Sequence, residues 1–231
     1  MKKMRNLLAV TFLAFVLFSL PVASGINQPV IEVEAKTRNG LVKKGSTYYY
    51  YKRGKKVKKQ WVKVKKKSYY FKKDGKAATG SYKIKSKYYI FKANGQLYKP
   101  SKKKIVTVKG QKYQVSPKGT AVSGWTSGKQ RYFKKNGAMA TGIQSIRNTF
   151  YAFDASGKQN VTLSKKLQGA SNYEQDMTAL YALIGKPVSA SYAPGCYGGS
   201  GKDGTLVYPN FIVSTFRYDD GREIFMDVNA R

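Results

Sequence analysis

The sequence predicts a mainly β protein: a solenoid of stacked β-hairpin repeats over residues 40–160, then a small α+β domain over 161–231 with one helix on a three-stranded antiparallel sheet. Three observations carry this expectation. Aromatic clusters closed by a glycine recur at steps near twenty residues. Lysine and arginine crowd into the repeated part and thin out where it ends. One amphipathic stretch, followed by alternating apolar residues, occupies the last seventy residues.

The first element is a leader. "MKKMRN" is short and basic, Leu7 to Leu20 is apolar, and "PVASG" adds a helix break and small residues. That is the pattern of a secretory signal peptide. Residues 1–25 are expected to be removed, with "VEA" ending at Ala35 as a second cleavage position, and 26–39 to form a linker. The apolar run falls short of the roughly twenty residues a membrane-spanning helix needs. A retained anchor is the alternative, and no segment after the leader is apolar enough to span a bilayer. Cys196 is the one cysteine in the chain. An exported chain with no internal disulfide suits a Gram-positive bacterium.

The net charge of +33 is unevenly spread. Residues 36–160 hold 34 Lys and Arg against two acids, Asp74 and Asp154, whereas 161–231 hold seven of each sign. This step in charge places a domain boundary near Val161. A field of that size draws an anionic partner, and salt screens it. For an exported chain the candidates are teichoic acid, acidic polysaccharide, phospholipid headgroups and extracellular nucleic acid. The plainer alternative is a solvated, self-repelling surface.

The repeats come next. Gly54, Gly75, Gly95, Gly119, Gly137 and Gly157 each follow an aromatic cluster, at steps of 21, 20, 24, 18 and 20 residues. "KDG", "ANG" and "KNG" supply residues that tolerate positive φ, so each unit reads as a hairpin. One such hairpin buries too little apolar surface to be stable alone. Stacking on the next repeat answers that need, with lysine stems lying along aromatic faces and their charges in water.

At residues 124–142, "GWTSGKQRYFKKNGAMATG", the chain resembles the choline-binding and glucan-binding repeats of Gram-positive cell-wall-binding proteins. "NGAMATG" at 136–142 matches the ending of that repeat, and "DGKAATG" at 74–80 nearly does. The resemblance covers about residues 40–160 and is strongest over 124–157. It implies stacked hairpins and attachment to a wall polymer. Relatives that bind choline use two tryptophans and a third aromatic across adjacent hairpins; here Trp61 and Trp125 are the tryptophans of the chain. Ser68, Lys87 and Gln130 stand where that family has another. The many lysines would also repel a cation, so the reading turns away from choline toward teichoic acid or glycan.

Trp61, Tyr70, Tyr89, Trp125, Tyr132 and Tyr151 are the candidate ligand-binding residues. The blander role for Tyr50, Tyr70, Tyr89, Tyr132 and Tyr151 is the hairpin core. Lys65–Lys67 and Lys102–Lys104 read as solvated charge runs that add diffuse attraction.

In the last part, Ser171 and Glu174 have capping-box spacing. Tyr173, Met177, Leu180, Tyr181 and Ile184 make one apolar stripe, ended by Gly185 and Pro187. "TLVYPN", "FIVSTFRY" and "EIFMDV" read as three strands, with "DDGR" as a hairpin turn. This part loosely resembles small αβ modules of secreted Firmicutes proteins, which implies no defined activity. The chain has no histidine, which removes Ser-His and Cys-His dyads. No metal or other cofactor is expected. Cys196 reads as a small packed residue, and Asp219, Asp220, Glu223 and Asp227 as turn and strand charges.

The expectation is therefore a secreted, wall-associated, non-catalytic protein whose basic repeats bind anionic wall polymer or polysaccharide and display a C-terminal binding module. Two alternatives stand beside it. One is a secreted polycation for nucleic acid or membranes; the other is a wall enzyme with a repeat anchor.

Overall fold

Six antiparallel hairpins follow one another from Gly40 to Phe153 in the computed structural model, which describes residues 38–195 and 200–231. The expected leader, most of the expected linker and Cys196 lie outside the described residues. The hairpins are β1 (Gly40–Lys44) with β2 (Thr47–Lys52), β4 (Gln60–Val64) with β5 (Lys67–Phe71), and β6 (Gly80–Ile84) with β7 (Lys87–Phe91). After them come β8 (Lys104–Val108) with β9 (Gln111–Val115), β10 (Gly124–Trp125) with β11 (Tyr132–Phe133), and β12 (Gly142–Ser145) with β13 (Phe150–Phe153). Two short strands, β3 (Lys55–Lys56) and β14 (Gln159–Asn160), extend the first and last of these sheets.

The turn after each hairpin explains the recurrent glycine. Asp74, Asn94, Asn136 and Asp154 each accept, through Oδ1, the N–H of a residue two or four places on, at 2.9–3.1 Å. These local bonds fix a tight reversal. After Asp74, Asn94 and Asn136 the next residue is the glycine, and after Asp154 it is the third: Gly95 has φ +81° and Gly137 +79°, a region that costs an L-residue roughly 1–2 kcal/mol. Space imposes the same choice. A Cβ on Gly95 would sit 2.7 Å from Cβ of Ala77, and one on Gly137 2.8 Å from Cβ of Ala121.

Beyond the turn, the chain ties each unit to the one before it. Ala77 donates its N–H to the Tyr48 carbonyl, Leu97 to Ser68, Ala121 to Tyr88, Met139 to Lys112 and Gln159 to Gln130, all at 2.8–2.9 Å. The following residue bonds back to its own hairpin, as Ala78 does to Tyr70 and Ala140 to Tyr132. The hairpins are thus separate small sheets joined by this repeated bond, with bonds such as Ile90 N–H to the Gly119 carbonyl and Gln114 N–H to the Gly137 carbonyl beside it.

Apolar packing follows the same register. The buried position is the final aromatic or aliphatic residue of each hairpin's second strand: Tyr51, Phe71, Phe91, Val115, Phe133 and Phe153. Burying a phenylalanine fully is worth about 2 kcal/mol, too little to hold a lone hairpin, so each leans on its neighbours. The tyrosines that the sequence placed in the core, Tyr50, Tyr70, Tyr89, Tyr132 and Tyr151, lie one or two positions earlier and are half-buried. Lysines do lie on ring faces: the Lys56 ammonium is 4.8 Å from the Tyr49 centroid and that of Lys92 is 5.3 Å from Tyr98.

The C-terminal part departs from expectation in two ways. Its sheet has four strands, in the order β15 (Ser189–Pro194), β16 (Gly201–Val207), β17 (Phe211–Tyr218) and β18 (Glu223–Ala230). The added strand is an edge in which Ser, Ala and Pro, residues of weak strand preference that an edge tolerates, surround Tyr192. There are also two α-helices, α1 (Val161–Gly169) and α2 (Thr178–Ile184). Asn160 caps α1 by accepting the Leu163 N–H at 2.9 Å.

The expected capping box at Ser171 and Glu174 does not form. Glu174 is left-handed at φ +65°, and residues 174–177 instead bond to β18, with Glu174 donating to Phe225 and Met177 to Glu223. Tertiary pairing wins there over local helix preference, and Tyr173 is left exposed. The core beneath holds Leu167, Met177, Leu180, Leu206, Val213 and Val228. Phe150 and Ala152 of the last hairpin belong to the same cluster, so packing is continuous across residue 161.

Candidate functional site

The register of each hairpin assigns equivalent positions. Opposite the residue before the buried one stand Leu41, Trp61, Ser81, Ile105, Trp125 and Ile143 in successive units. Tryptophan thus occurs in the second and fifth units. In both, its cross-strand partner is a tyrosine, Tyr70 or Tyr132. Direct cross-strand neighbours lie close enough for two rings to touch.

A third ring comes from the following or next-supplied hairpin. Around Trp61, the Tyr70 centroid is 5.4 Å away at 67° and that of Tyr89 5.1 Å at 77°. Around Trp125, Tyr132 is 5.2 Å away at 63° and Tyr151 4.9 Å at 69°. A buried phenylalanine backs each group, Phe91 at 5.7 Å and 34° and Phe153 at 5.7 Å and 36°. The six aromatic residues singled out from the sequence therefore fall into two groups of three with nearly the same geometry. The linear sequence does not show that grouping, because the third ring lies nineteen residues beyond the second in each case.

The first group opens to solvent. Trp61 is 38% exposed. With Tyr70 and Tyr89 it lines a cleft of about 450 Å³ whose rim carries Lys59, Lys85 and Lys87. The last two flank Ser86 at the tip of the β6–β7 hairpin, where Lys85 takes φ +54°. Among the lining residues none is acidic. Aromatic faces bind sugar rings or cations, and the lysine rim adds attraction for phosphate or carboxylate.

The C-terminal charges behave differently. Glu223 is 5% exposed and fully engaged. Its Oε1 accepts from Thr215 at 2.6 Å and Tyr192 at 3.1 Å; its Oε2 accepts from Tyr181 at 2.7 Å and lies 3.4 Å from Arg217. The Arg217 guanidinium also covers the Tyr192 ring at 4.5 Å. Burial, reinforced by the Glu223 carboxylate, pushes the Tyr181 phenol far up. This network ties α2, β15, β17 and β18 together. Sequence reading treated Glu223 as a strand charge; its place opposite Arg217 in the "DDGR" hairpin was the available signal. Asp220 pairs with Arg222 at 2.8 Å, and Asp227 accepts from Asn148. Among the described residues no group of His, Cys, Asp or Glu is arranged to hold a metal ion, and no helix is long and apolar enough to cross a membrane.

No protein-family model and no curated protein sequence matches the chain. Solved structures do. Choline binding protein F of Streptococcus pneumoniae, solved in the presence of a peptidoglycan analogue, is 28% identical over 53% of this chain and 41% of its own, with a TM-score of 0.36. CbpJ of the same species is 26% identical over 53% and 42%, with a TM-score of 0.37. The modular Cpl-1 endolysin, complexed with a peptidoglycan analogue, is 21% identical over 56% and 40%, with a TM-score of 0.38. This chain spans less than half the length of each. Choline-binding proteins are among the solved structures to which this chain is similar.

Proposed function

We propose that this chain is a secreted, non-catalytic, wall-associated protein whose hairpins stack as a solenoid and whose two three-ring aromatic groups bind cell-wall polymer. Duplication is the observation that carries the reading. The same three-ring arrangement is built in the second and fifth units, while the units with Ser81 and Ile105 at the tryptophan position form their hairpins without it. A ring cluster required for folding would recur in every unit. One required for a ligand need recur only where the ligand binds.

The lysine rim narrows the ligand to a polymer with anionic groups beside stacking units, such as teichoic acid or a charged glycan. Two such groups on one chain add avidity, because the second engagement is intramolecular. The C-terminal sheet and helices are displayed as a binding module. A second reading concerns the Trp125 group: three rings set at steep angles to one another suit a quaternary ammonium such as choline.

The test is retention of the purified protein on isolated Gram-positive walls, before and after teichoic acid extraction, with free choline as competitor. Trp61→Ala and Trp125→Ala are each expected to weaken retention about tenfold, and together to abolish it. Retention indifferent to both substitutions would sink the proposal. Clearing of a wall suspension by the protein would overturn the non-catalytic part. Elution by choline from the Trp61→Ala protein alone would establish the second reading.

A further inference from the structure

A second cleft, separate from the aromatic pair, lies where the fifth hairpin meets the C-terminal sheet. It encloses about 350 Å³ and is walled by the turn after β11, the strand β12, Asn210 at the start of β17 and the end of β18. Its cations are Lys134, Lys135 and Arg231, and no lining residue is acidic. Tyr88 and Tyr132 are the other titratable groups facing it.

Lys134 sits at its centre in an unusual state for a lysine. Its side chain is half-buried, and the ammonium meets the Asn210 amide oxygen at 3.4 Å. The orientation of that amide is fixed, since its nitrogen donates to the Ile143 carbonyl at 3.2 Å. Among the described residues no carboxylate lies within 4.0 Å of Lys134 or Lys135. Arg231 already donates to the Tyr208 carbonyl at 3.3 Å, so it contributes field with part of its donors engaged. Burial holds the Lys134 ammonium below the usual lysine range. A half-desolvated cation with one neutral contact is unfavourable unless an anion completes it.

We propose that this junction is a binding site for a phosphate group, with Lys134 and Lys135 as its charge-assisted donors. The site is independent of the aromatic groups, although Tyr132 borders both. A polymer held at Trp125 therefore has a cationic foothold beside it, formed in part by the C-terminal sheet. Lysine suits the task as a compact cation with three donors that can turn toward phosphate oxygens from several directions.

The test is titration calorimetry of the full chain with dimethyl phosphate and with inorganic phosphate, at constant ionic strength set by chloride, so that the diffuse field of the repeats is held fixed. The expected result is a single saturable site. Lys134→Gln, which keeps an amide near Asn210, should weaken it at least tenfold. Lys135→Gln, an exposed change that leaves the packing alone, should weaken it two- to fivefold. Lys118→Gln, a charge loss outside the cleft, should change it less than twofold. Binding at alkaline pH should take up protons, seen as a heat that varies with the buffer's ionisation enthalpy, because the anion favours the charged form of Lys134 that burial disfavours. That uptake should vanish in Lys134→Gln.

Equal losses from Lys118→Gln and Lys134→Gln would overturn the site in favour of diffuse charge. Absence of saturable binding would overturn it outright. Neither result bears on the wall proposal, which is read from the tryptophan substitutions.

Discussion

The Tyr181 hydroxyl donates to Oε2 of Glu223 at 2.7 Å, so helix α2 is held to the final strand through a carboxylate that is 5% exposed. The other oxygen of Glu223 takes Thr215 and Tyr192. One side chain therefore serves four elements, and its charge is balanced by Arg217 at the rim.

Glu223→Ala strands three hydroxyl donors and one guanidinium at once. A loss of about 3–5 kcal/mol of stability is expected, the usual cost of removing one partner from a buried charged network. Urea unfolding of the full chain, followed by near-UV signals of the C-terminal tyrosines, measures it. A loss under about 1 kcal/mol would mean that water replaces the carboxylate.

Alkaline pH should weaken the same region. Burial first, then the Glu223 charge, pushes the Tyr208 phenol up to about 12. A phenol whose folded value is raised stabilises the fold fully below its unfolded value near 10, and that contribution fades as pH rises from 10 to 12. Roughly 2 kcal/mol is expected to be lost across that window. Tyr208→Phe should remove this part of the pH dependence, leaving a flatter difference between pH 9 and 11.5. An identical pH dependence in both proteins would contradict the assignment.

The turn glycines offer a matched pair. Gly110 has φ +79° with open space where a Cβ would go, whereas Gly95 has φ +81° and meets Cβ of Ala77 at 2.7 Å. Gly110→Ala is expected to cost about 1 kcal/mol, from backbone conformation alone. Gly95→Ala adds the overpacking of a tight repeat junction, for a total of about 3 kcal/mol. Equal costs, measured by thermal unfolding, would show that the junction yields.

At the Trp61 cleft, the lysine rim predicts a particular salt response. Lys85→Gln with Lys87→Gln should flatten the slope of log affinity against log salt by about 1 to 2 for wall polymer, through fewer released counterions. Binding in high salt should change less than twofold, because the aromatic faces remain. A uniform fall at all salt concentrations would mean that these lysines shape the cleft instead of attracting the polymer.

Much of the fold was legible because glycine spacing and Asx-Gly turns are local signals. Asp74, Asn94 and Asn136, each followed by glycine, announced reversals that the structure contains. The six aromatic candidates were picked out by residue type alone. Their grouping into two sets of three rings was not legible, because it depends on which hairpin each turn leans against. Helix α1 escaped notice: it begins with β-branched Val161 and Thr162 and runs nine residues. The edge strand Ser189–Pro194 has no β-branched residue and a single aromatic, Tyr192. The start of α2 was misplaced because the pairing of Glu174 and Met177 with β18 is a long-range contact. The junction cleft was invisible for the same reason, since it joins Lys134 to Asn210 across 76 positions.

The repeated bond from each turn runs in one direction along the chain. Ala77 looks back to Tyr48, Leu97 to Ser68, and so on to Gln159 and Gln130. An exported chain emerges amino-terminal units first, so every unit appears facing a docking surface already made. Assembly is thereby vectorial: the array can zip closed as it emerges, one unit per step, with each loop closed over about thirty residues and a correspondingly small entropic cost. The C-terminal sheet, which buries Phe150 of the last hairpin, is then the final piece laid onto the array of hairpins.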